Sequence, residues 1–230
     1  MLKREIKITQ DGSNTLYIPE WNESYHSKHG ALREAEHVFI TNGLEKFNDS
    51  NVINVLEYGF GTGLNALLSF IWSRDHSKSI NYTSLEKFPV STTEVEAMDF
   101  HQVIAQKYSN LQADPIYDFF LKMHQAKWEE KVNLTDFFEL FKQEIDFKEV
   151  RFKEETYDVV FFDVFGMRVQ PELWSEEIFE KIYTSLKIGG LFTTYACNGP
   201  TKRALKACGF RVEKLAGPPG KREMINAWKK

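Results

Sequence analysis

The chain has two cysteines and seven prolines in 230 residues, and no apolar run near the roughly 20 residues a membrane helix requires. Cys197 and Cys208 are too few for a disulfide framework and lack metal-ligand spacing, so both read as reduced thiols. Met1-Leu2-Lys3-Arg4-Glu5 lacks the apolar segment of a signal peptide, which leaves a cytoplasmic location and no membrane partner as the default. His26 and His29 share one loop, but no carboxylate or cysteine completes a recognisable ligand set, and no metal is expected. Positive charge is also short: a net charge of −4 argues against a protein that coats nucleic acid indiscriminately. From Thr201 onward, however, nine basic residues face two acids, Glu213 and Glu223. That segment is either a polyanion-binding face or a solvated helix with a basic tail.

What is present suffices for one substantial core, with 42% hydrophobic and 27% charged residues. A single domain over 1–230 is expected, with an N-terminal extension over 1–45 and a helical insertion over 89–133. A monomer is the default.

Three alternate glycines, Gly59, Gly61 and Gly63, sit between the apolar run Val52 to Glu57 and the helical pattern starting at Leu64. Glycines at such a junction let backbone approach a ligand closely, and the helix start offers unpaired amides. A dinucleotide site wants G-x-G-x-x-G, whereas Leu64 stands where the third glycine would be. The G-x-G-x-G form resembles instead the first motif of class I S-adenosylmethionine (AdoMet) methyltransferases. Ile80 to Glu86 reads as a second strand ending in a carboxylate about 20 residues on, which is suited to accept both hydroxyl protons of a ribose. A solvated acid paired with Lys87 is the plain alternative.

Along the rest of the chain, Glu5 to Thr9 and Thr15 to Ile18 predict a hairpin around Asp11-Gly12 that covers or extends one side of the site. Glu34 to Phe39 lies in a helix, preceded by the polar and aromatic loop Tyr25 to Gly30. Pro89 to about Asn133 predicts two or three helices broken by Asp114-Pro115, with their aromatics in the core. Phe137 to Ile145 predicts a strand ending at Asp146, and Tyr157 to Phe162 a central strand ending at Asp163. Leu173 to Leu186 predicts a helix stopped by Lys187-Ile188-Gly189-Gly190, before a strand over Leu191 to Tyr195. Thr201 to Cys208 predicts a further helix closed by Gly209. Phe210 to Leu215 and Met224 to Trp228 complete the chain as an antiparallel hairpin. The sum is a doubly wound α/β sheet, whose ligands bind outside the carboxyl ends of the strands. Gly59, Glu86, Asp146 and Asp163 all fall there.

The stretch Phe161 to Trp174 sets an acid, aromatics and a proline-started helix around the position of a transferred methyl. An amine attacking a sulfonium methyl must be neutral and in line. Asp163 is suited either to accept the amine proton or to orient the amine, and Phe165 or Trp174 to flank a planar base. Trp174 reads equally well as core.

Glu57 to Asn65, Glu86-Lys87-Phe88-Pro89, Asp163 to Trp174 and Pro218 to Met224 together resemble the tRNA 5-methylaminomethyl-2-thiouridine methyltransferases, the methyltransferase half of the bifunctional MnmC enzymes. The resemblance runs from the Ser24-to-Phe39 segment almost to the C-terminus. It implies a Rossmann-like class I fold, AdoMet as methyl donor, tRNA as partner, and N-methylation of an aminomethyl group on a wobble uridine. It assigns the donor site to Glu57, Gly59, Gly61, Thr62, Gly63, Asn65, Glu86 and Lys87, with Asp146 near the adenine, and the transfer centre to Asp163. Phe165, Trp174, Lys221 and Arg222 fall to the RNA. Two departures stand out. The family's loop after the aspartate reads closer to D-x-F-x-P, whereas here it is Asp163-Val164-Phe165-Gly166-Met167. An FAD-dependent oxidase half is missing, so removal of a carboxymethyl group is not expected of this chain. The competing expectations are a methyltransferase of a small-molecule or protein amine, a non-catalytic AdoMet-binding scaffold, and a nicotinamide oxidoreductase.

Overall fold

The computed structural model describes residues 3–230. Its centre is a strand with no polar face to spare: β4 (Val52–Tyr58) runs apolar along its inner positions and carries only the buried Glu57 as a charge. Such a strand is stable only when covered on both faces, and parallel neighbours with helical crossovers supply that cover. β5 (Ser79–Glu86) and β8 (Tyr157–Phe162) flank β4 in parallel register, then β7 (Phe138–Glu144) joins β5 and β9 (Leu186–Thr194) joins β8. The full order is β10-β11-β9-β8-β4-β5-β7-β6, with β6 (Lys131–Thr135) at one edge and β10 (Arg211–Ala216) and β11 (Glu223–Trp228) as the expected antiparallel hairpin at the other. Strand order reverses at β4, which opens a crevice at its carboxyl end.

Two apolar clusters lie on the two faces of this sheet. One packs α1 (Ala31–Ala35), its π-helical continuation Glu36–Thr41 and α2 (Leu64–Asp75) together with α3 (Thr92–Glu96), α4 (Phe100–Lys107) and α5 (Ala113–Gln125). The other packs α6 (Glu176–Ser185) and α7 (Gly199–Ala207). Both helices start on side-chain caps, Ser175 accepting from the Ile178 amide and Asn198 from the Thr201 amide.

Three details differ from the sequence reading. The insertion does not stay helical to Asn133, because Lys131–Thr135 forms β6, an antiparallel edge strand on β7; its Leu134 turns inward. Asp114-Pro115 does not break a helix, since Pro115 sits in the first turn of α5, where no amide donor is needed. Lys187 to Gly190 does not separate helix from strand: β9 already begins at Leu186, and the pairing with β8 shifts register between Tyr157 and Val159.

The N-terminal hairpin, β1 (Glu5–Ile8) with β2 (Asn14–Ile18), gains a third short strand, β3 (Glu23–Ser24). This small sheet is held over the crevice by polar links. The Asn14 side chain donates to the Ala97 carbonyl at 2.8 Å, and His26 bridges Thr15 Oγ1 at 3.0 Å and Thr62 Oγ1 at 3.1 Å.

Candidate active site

Between the end of β4 and the start of α2, Gly59, Gly61 and Gly63 all have positive φ, at 93°, 50° and 75°. Side chains are strained there, and space is lacking as well. A Cβ on Gly59 would lie 2.6 Å from the Asp163 carbonyl oxygen, and one on Gly63 2.7 Å from Met123 Cε. His124 braces the loop from behind, donating from Nε2 to the Thr62 carbonyl at 3.1 Å; desolvation pushes its pKa down to about 4 and keeps the ring neutral. Behind His124, buried Lys142 donates to the His124 carbonyl at 2.9 Å and sits 4.7 Å from the Trp128 ring centre; desolvation pushes its pKa down to about 8.

Glu86 ends β5 with both carboxylate oxygens engaged. Oε2 accepts the Gly61 amide at 2.9 Å, and Oε1 accepts the Lys87 and Phe88 amides at 2.8 Å each. Both lone-pair sites of Oε1 are taken by amides, so Oε2 is the oxygen that keeps a site for a further donor in the crevice that Glu86 lines. Lys87 leans across to Asp146 at 2.6 Å, and that contact holds the Asp146 carboxyl below its usual range. Glycines that leave backbone bare, a carboxylate with a free acceptor site and an adjoining ion pair fit the size and polarity of an adenosyl methyl donor.

Gly59, Gly61, Glu86, Lys87, Asp146 and Asp163 line one cavity of about 840 Å³, which Phe165 and Lys221 also reach. Drug-sized ligands occupy roughly 300–1,000 Å³, so the volume takes a nucleoside donor with room for part of an acceptor. Thr62 and Asn65 line a smaller recess beside it, together with Gly59, Gly61 and Asp163. Glu57, Gly63, Trp174 and Arg222 line neither space.

Glu57 lies one step behind the wall, accepting from Asn65 Nδ2 at 3.1 Å and from Ser84 Oγ at 2.6 Å. Burial raises its pKa to about 8. Asn65 also donates to Asp163 Oδ2 at 2.8 Å, so one amide aims both carboxylates. Asp163 opens into the cavity rather than to bulk water, and desolvation is the main reason its pKa rises to about 7; Glu34 adds to the rise, whereas Asn65 and Lys221 oppose it.

The loop after Asp163 closes without the early proline. Val169 and Gln170 amides donate to the Gly166 carbonyl, Gln170 Oε1 accepts the Phe165 amide at 3.2 Å, and Trp174 Nε1 donates to the Phe165 carbonyl at 2.9 Å. Trp174 is therefore core, packed edge-on against Phe162, and it acts on Phe165 rather than on a ligand. The Phe165 ring meets Trp21 at 5.4 Å and Tyr25 at 5.2 Å, both edge-to-face. Arg168 ties the two segments together through the Trp21 carbonyl and Glu23.

Sequence reasoning missed Trp21, Tyr25, Glu34 and Tyr195 as cavity residues. For Tyr25 the aromatic loop was a signal. Glu34 gives none, since an acid in a helix ordinarily faces water.

A profile described as S-adenosyl-L-methionine-dependent methyltransferase matches residues 99–230. The chain is similar to the tRNA 5-methylaminomethyl-2-thiouridine biosynthesis bifunctional protein MnmC of Paraburkholderia xenovorans, 30% identical over 223 residues, covering 93% of this chain and 33% of that protein. The protein of the same name from Burkholderia thailandensis is 30% identical over 234 residues, covering 96% and 34%. The chain thus spans about a third of the length of these curated relatives. The crystal structure of MnmC2 from Aquifex aeolicus superposes with a TM-score of 0.77 at 25% identity, over all of this chain and 72% of that one. The class I architecture expected from the sequence is the one observed, and the chain belongs to the S-adenosyl-L-methionine-dependent methyltransferase family.

Proposed function

We propose that this chain methylates the primary amine of a 5-aminomethyl-(2-thio)uridine at the wobble position of tRNA, giving the 5-methylaminomethyl nucleoside. The observation that carries the reading is Asp163: a cavity-facing carboxyl with a pKa of about 7, fixed by Asn65 beside a glycine cradle. The names of the MnmC relatives supply the substrate class, and a cytoplasmic location goes with it.

Bound AdoMet supplies an electrophilic methyl group on a sulfonium sulfur. Gly59 and Gly61 admit the donor to backbone contact, and Glu86 is assigned to its ribose hydroxyls. Lys87 and Asp146 are assigned to the rim of the donor end, and Thr62 and Asn65 to its inner recess. Gly63 shapes the turn, and Glu57 supports Asn65. Asp163 accepts the amine proton, because a base near the working pH combines ionisation with driving force. Phe165, Trp21 and Tyr25 form an apolar wall suited to a planar uracil. Arg222, which is exposed, is assigned to the RNA backbone. Residues 1–230 act as one methyltransferase domain, with 1–45 and 89–133 as its additions.

The test incubates the protein with methyl-labelled AdoMet and tRNA from cells lacking the modification, then identifies the labelled nucleoside. Label in 5-methylaminomethyl-uridine is expected. AdoMet binding without label in tRNA would redirect the search to a small-molecule or protein amine.

A further inference from the structure

Lys221 lines the cavity, with its side chain partly exposed and its ammonium turned onto neighbouring side chains. Its ammonium is held by two groups. Glu34 Oε2 accepts from Nζ at 2.5 Å, and the Tyr195 ring centre lies 3.7 Å away. Carboxylate and π face together make a cation site. Glu34 is 9% exposed, although it is a helix acid on α1, and no apolar packing requires a carboxylate there. Tyr195 is oriented by its own bond to the Val164 carbonyl at 2.8 Å, next to Asp163 in sequence. Asp163, Glu34, Tyr195 and Lys221 all line the same cavity.

The amine to be methylated arrives as an ammonium, since alkylamines hold their proton at neutral pH with pKa values near 10. It needs a place to dock before it loses that proton. We propose that Glu34 and the Tyr195 ring form the docking site for the acceptor ammonium, that Lys221 Nζ marks its position, and that substrate exchanges with Lys221 there. This rests on the amine-methylation reading above and adds the residues that select an amine. Docked against Glu34, the ammonium faces Asp163. One N–H bond breaks, its electron pair stays on nitrogen, and the proton passes to a carboxylate oxygen of Asp163 and on to solvent. The charged or titratable groups around Glu34 are Lys221 from the 217–222 loop, Asp163 just past β8 and Tyr195 just past β9; Glu23 of β3, which is paired with Arg168, also acts on Tyr195.

Two measurements test the docking site, one without turnover. Calorimetric binding of the nucleoside 5-aminomethyluridine and of 5-hydroxymethyluridine, which has no ammonium, is compared in wild type, Glu34→Gln and Lys221→Met. Loss of one charge-assisted contact is worth about tenfold to a hundredfold. Glu34→Gln should weaken the amine by that factor and leave the hydroxymethyl analogue and AdoMet unchanged, whereas Lys221→Met should bind the amine more tightly than wild type. Equal affinity for both nucleosides in all three proteins overturns the docking site, whether or not tRNA is methylated. In the second measurement, Glu34→Gln should raise KM for tRNA at pH 7 more than it lowers kcat, with the penalty shrinking as pH rises toward 10, where about half of the amine has lost its proton unaided. A penalty of one size at every pH means a structural role for Glu34 and overturns the proposal. A wild type that transfers no methyl to tRNA instead refutes the amine-methylation reading, and the binding series still decides the ammonium site.

Discussion

The two ends of the cavity are built in opposite ways. The end assigned to the donor is made mostly by two local stretches, the turn after β4 and the tip of β5, with Asp146 added from beyond β7. Its contacts are mostly backbone: Glu86 alone accepts three amides. The end assigned to the acceptor draws on β3, α1, the Asp163 loop, the residue after β9 and the 217–222 loop, and its contacts are made by side chains, to one another and to loop carbonyls. A ligand shared by many enzymes is met with backbone geometry, and a particular acceptor with charges and rings brought from far apart. Substitutions in one end should therefore leave the other end's ligand untouched.

The sharpest break comes at Asp163. Asp163→Asn keeps the shape and the Asn65 contact but removes the base, and kcat should fall by roughly 10²–10⁴-fold with AdoMet affinity little changed. Because burial raises this carboxyl to about 7, wild-type kcat should climb as pH rises through 7, and the mutant profile should lose that limb. A parallel loss of AdoMet binding would show the two ends to be one unit. Next in size is Glu86→Ala at the donor end. Removing a charged acceptor costs about 1.5–3 kcal/mol, so AdoMet should bind roughly tenfold to a hundredfold more weakly in calorimetry, with tRNA affinity preserved.

The comparison also explains what was legible in the sequence. Gly59, Gly61, Gly63 and Glu86 were readable because a strand, a turn with positive φ and a second strand end are local patterns with few alternatives. Asp163 was readable for the same reason, as the acid ending a continuous apolar strand. Lys221 was given to the RNA near the active site on the local positive charge; its pairing with Glu34 at the cavity depends on where the 217–222 loop meets α1, which no local pattern encodes. Trp174 read equally well as a stacking platform or as core, and it is core, with its ring nitrogen bonded to the Phe165 carbonyl. Edge strand β6 was hidden by its length, since five alternating residues after a helix carry little periodic signal.

Glu57 belongs to neither end and touches both, through Asn65. Its pKa is about 8 in the fold against an ordinary value near 4.5. The unfolded chain ionises first, so this group's contribution to stability is complete below the ordinary value and is lost as pH rises through 8. Glu57→Gln keeps the hydrogen-bond shape and has no proton to lose. It should match wild type in urea unfolding at pH 4.5 and exceed it by on the order of 1–3 kcal/mol at pH 8.5. Equal stabilities at the higher pH would mean that Glu57 ionises freely in the fold.

The smallest effect is expected at Arg222, which is exposed and outside both ends. Each phosphate neutralised by a cation contributes about 0.9 to the slope of log affinity against log salt on duplex nucleic acid. Arg222→Ala should lower the slope for tRNA by about that much while AdoMet affinity and the pH profile of kcat stay as in wild type. Its neighbour Lys221 gives the contrast, because its ammonium is already engaged by Glu34 and Tyr195. If Lys221→Met changes amine selection and Arg222→Ala changes only the salt slope, adjacent residues divide the work of holding one RNA between its reacting nitrogen and its backbone. If both change only the slope, Lys221 leaves the cavity when RNA binds, and amine selection rests on Glu34 and Tyr195 without it.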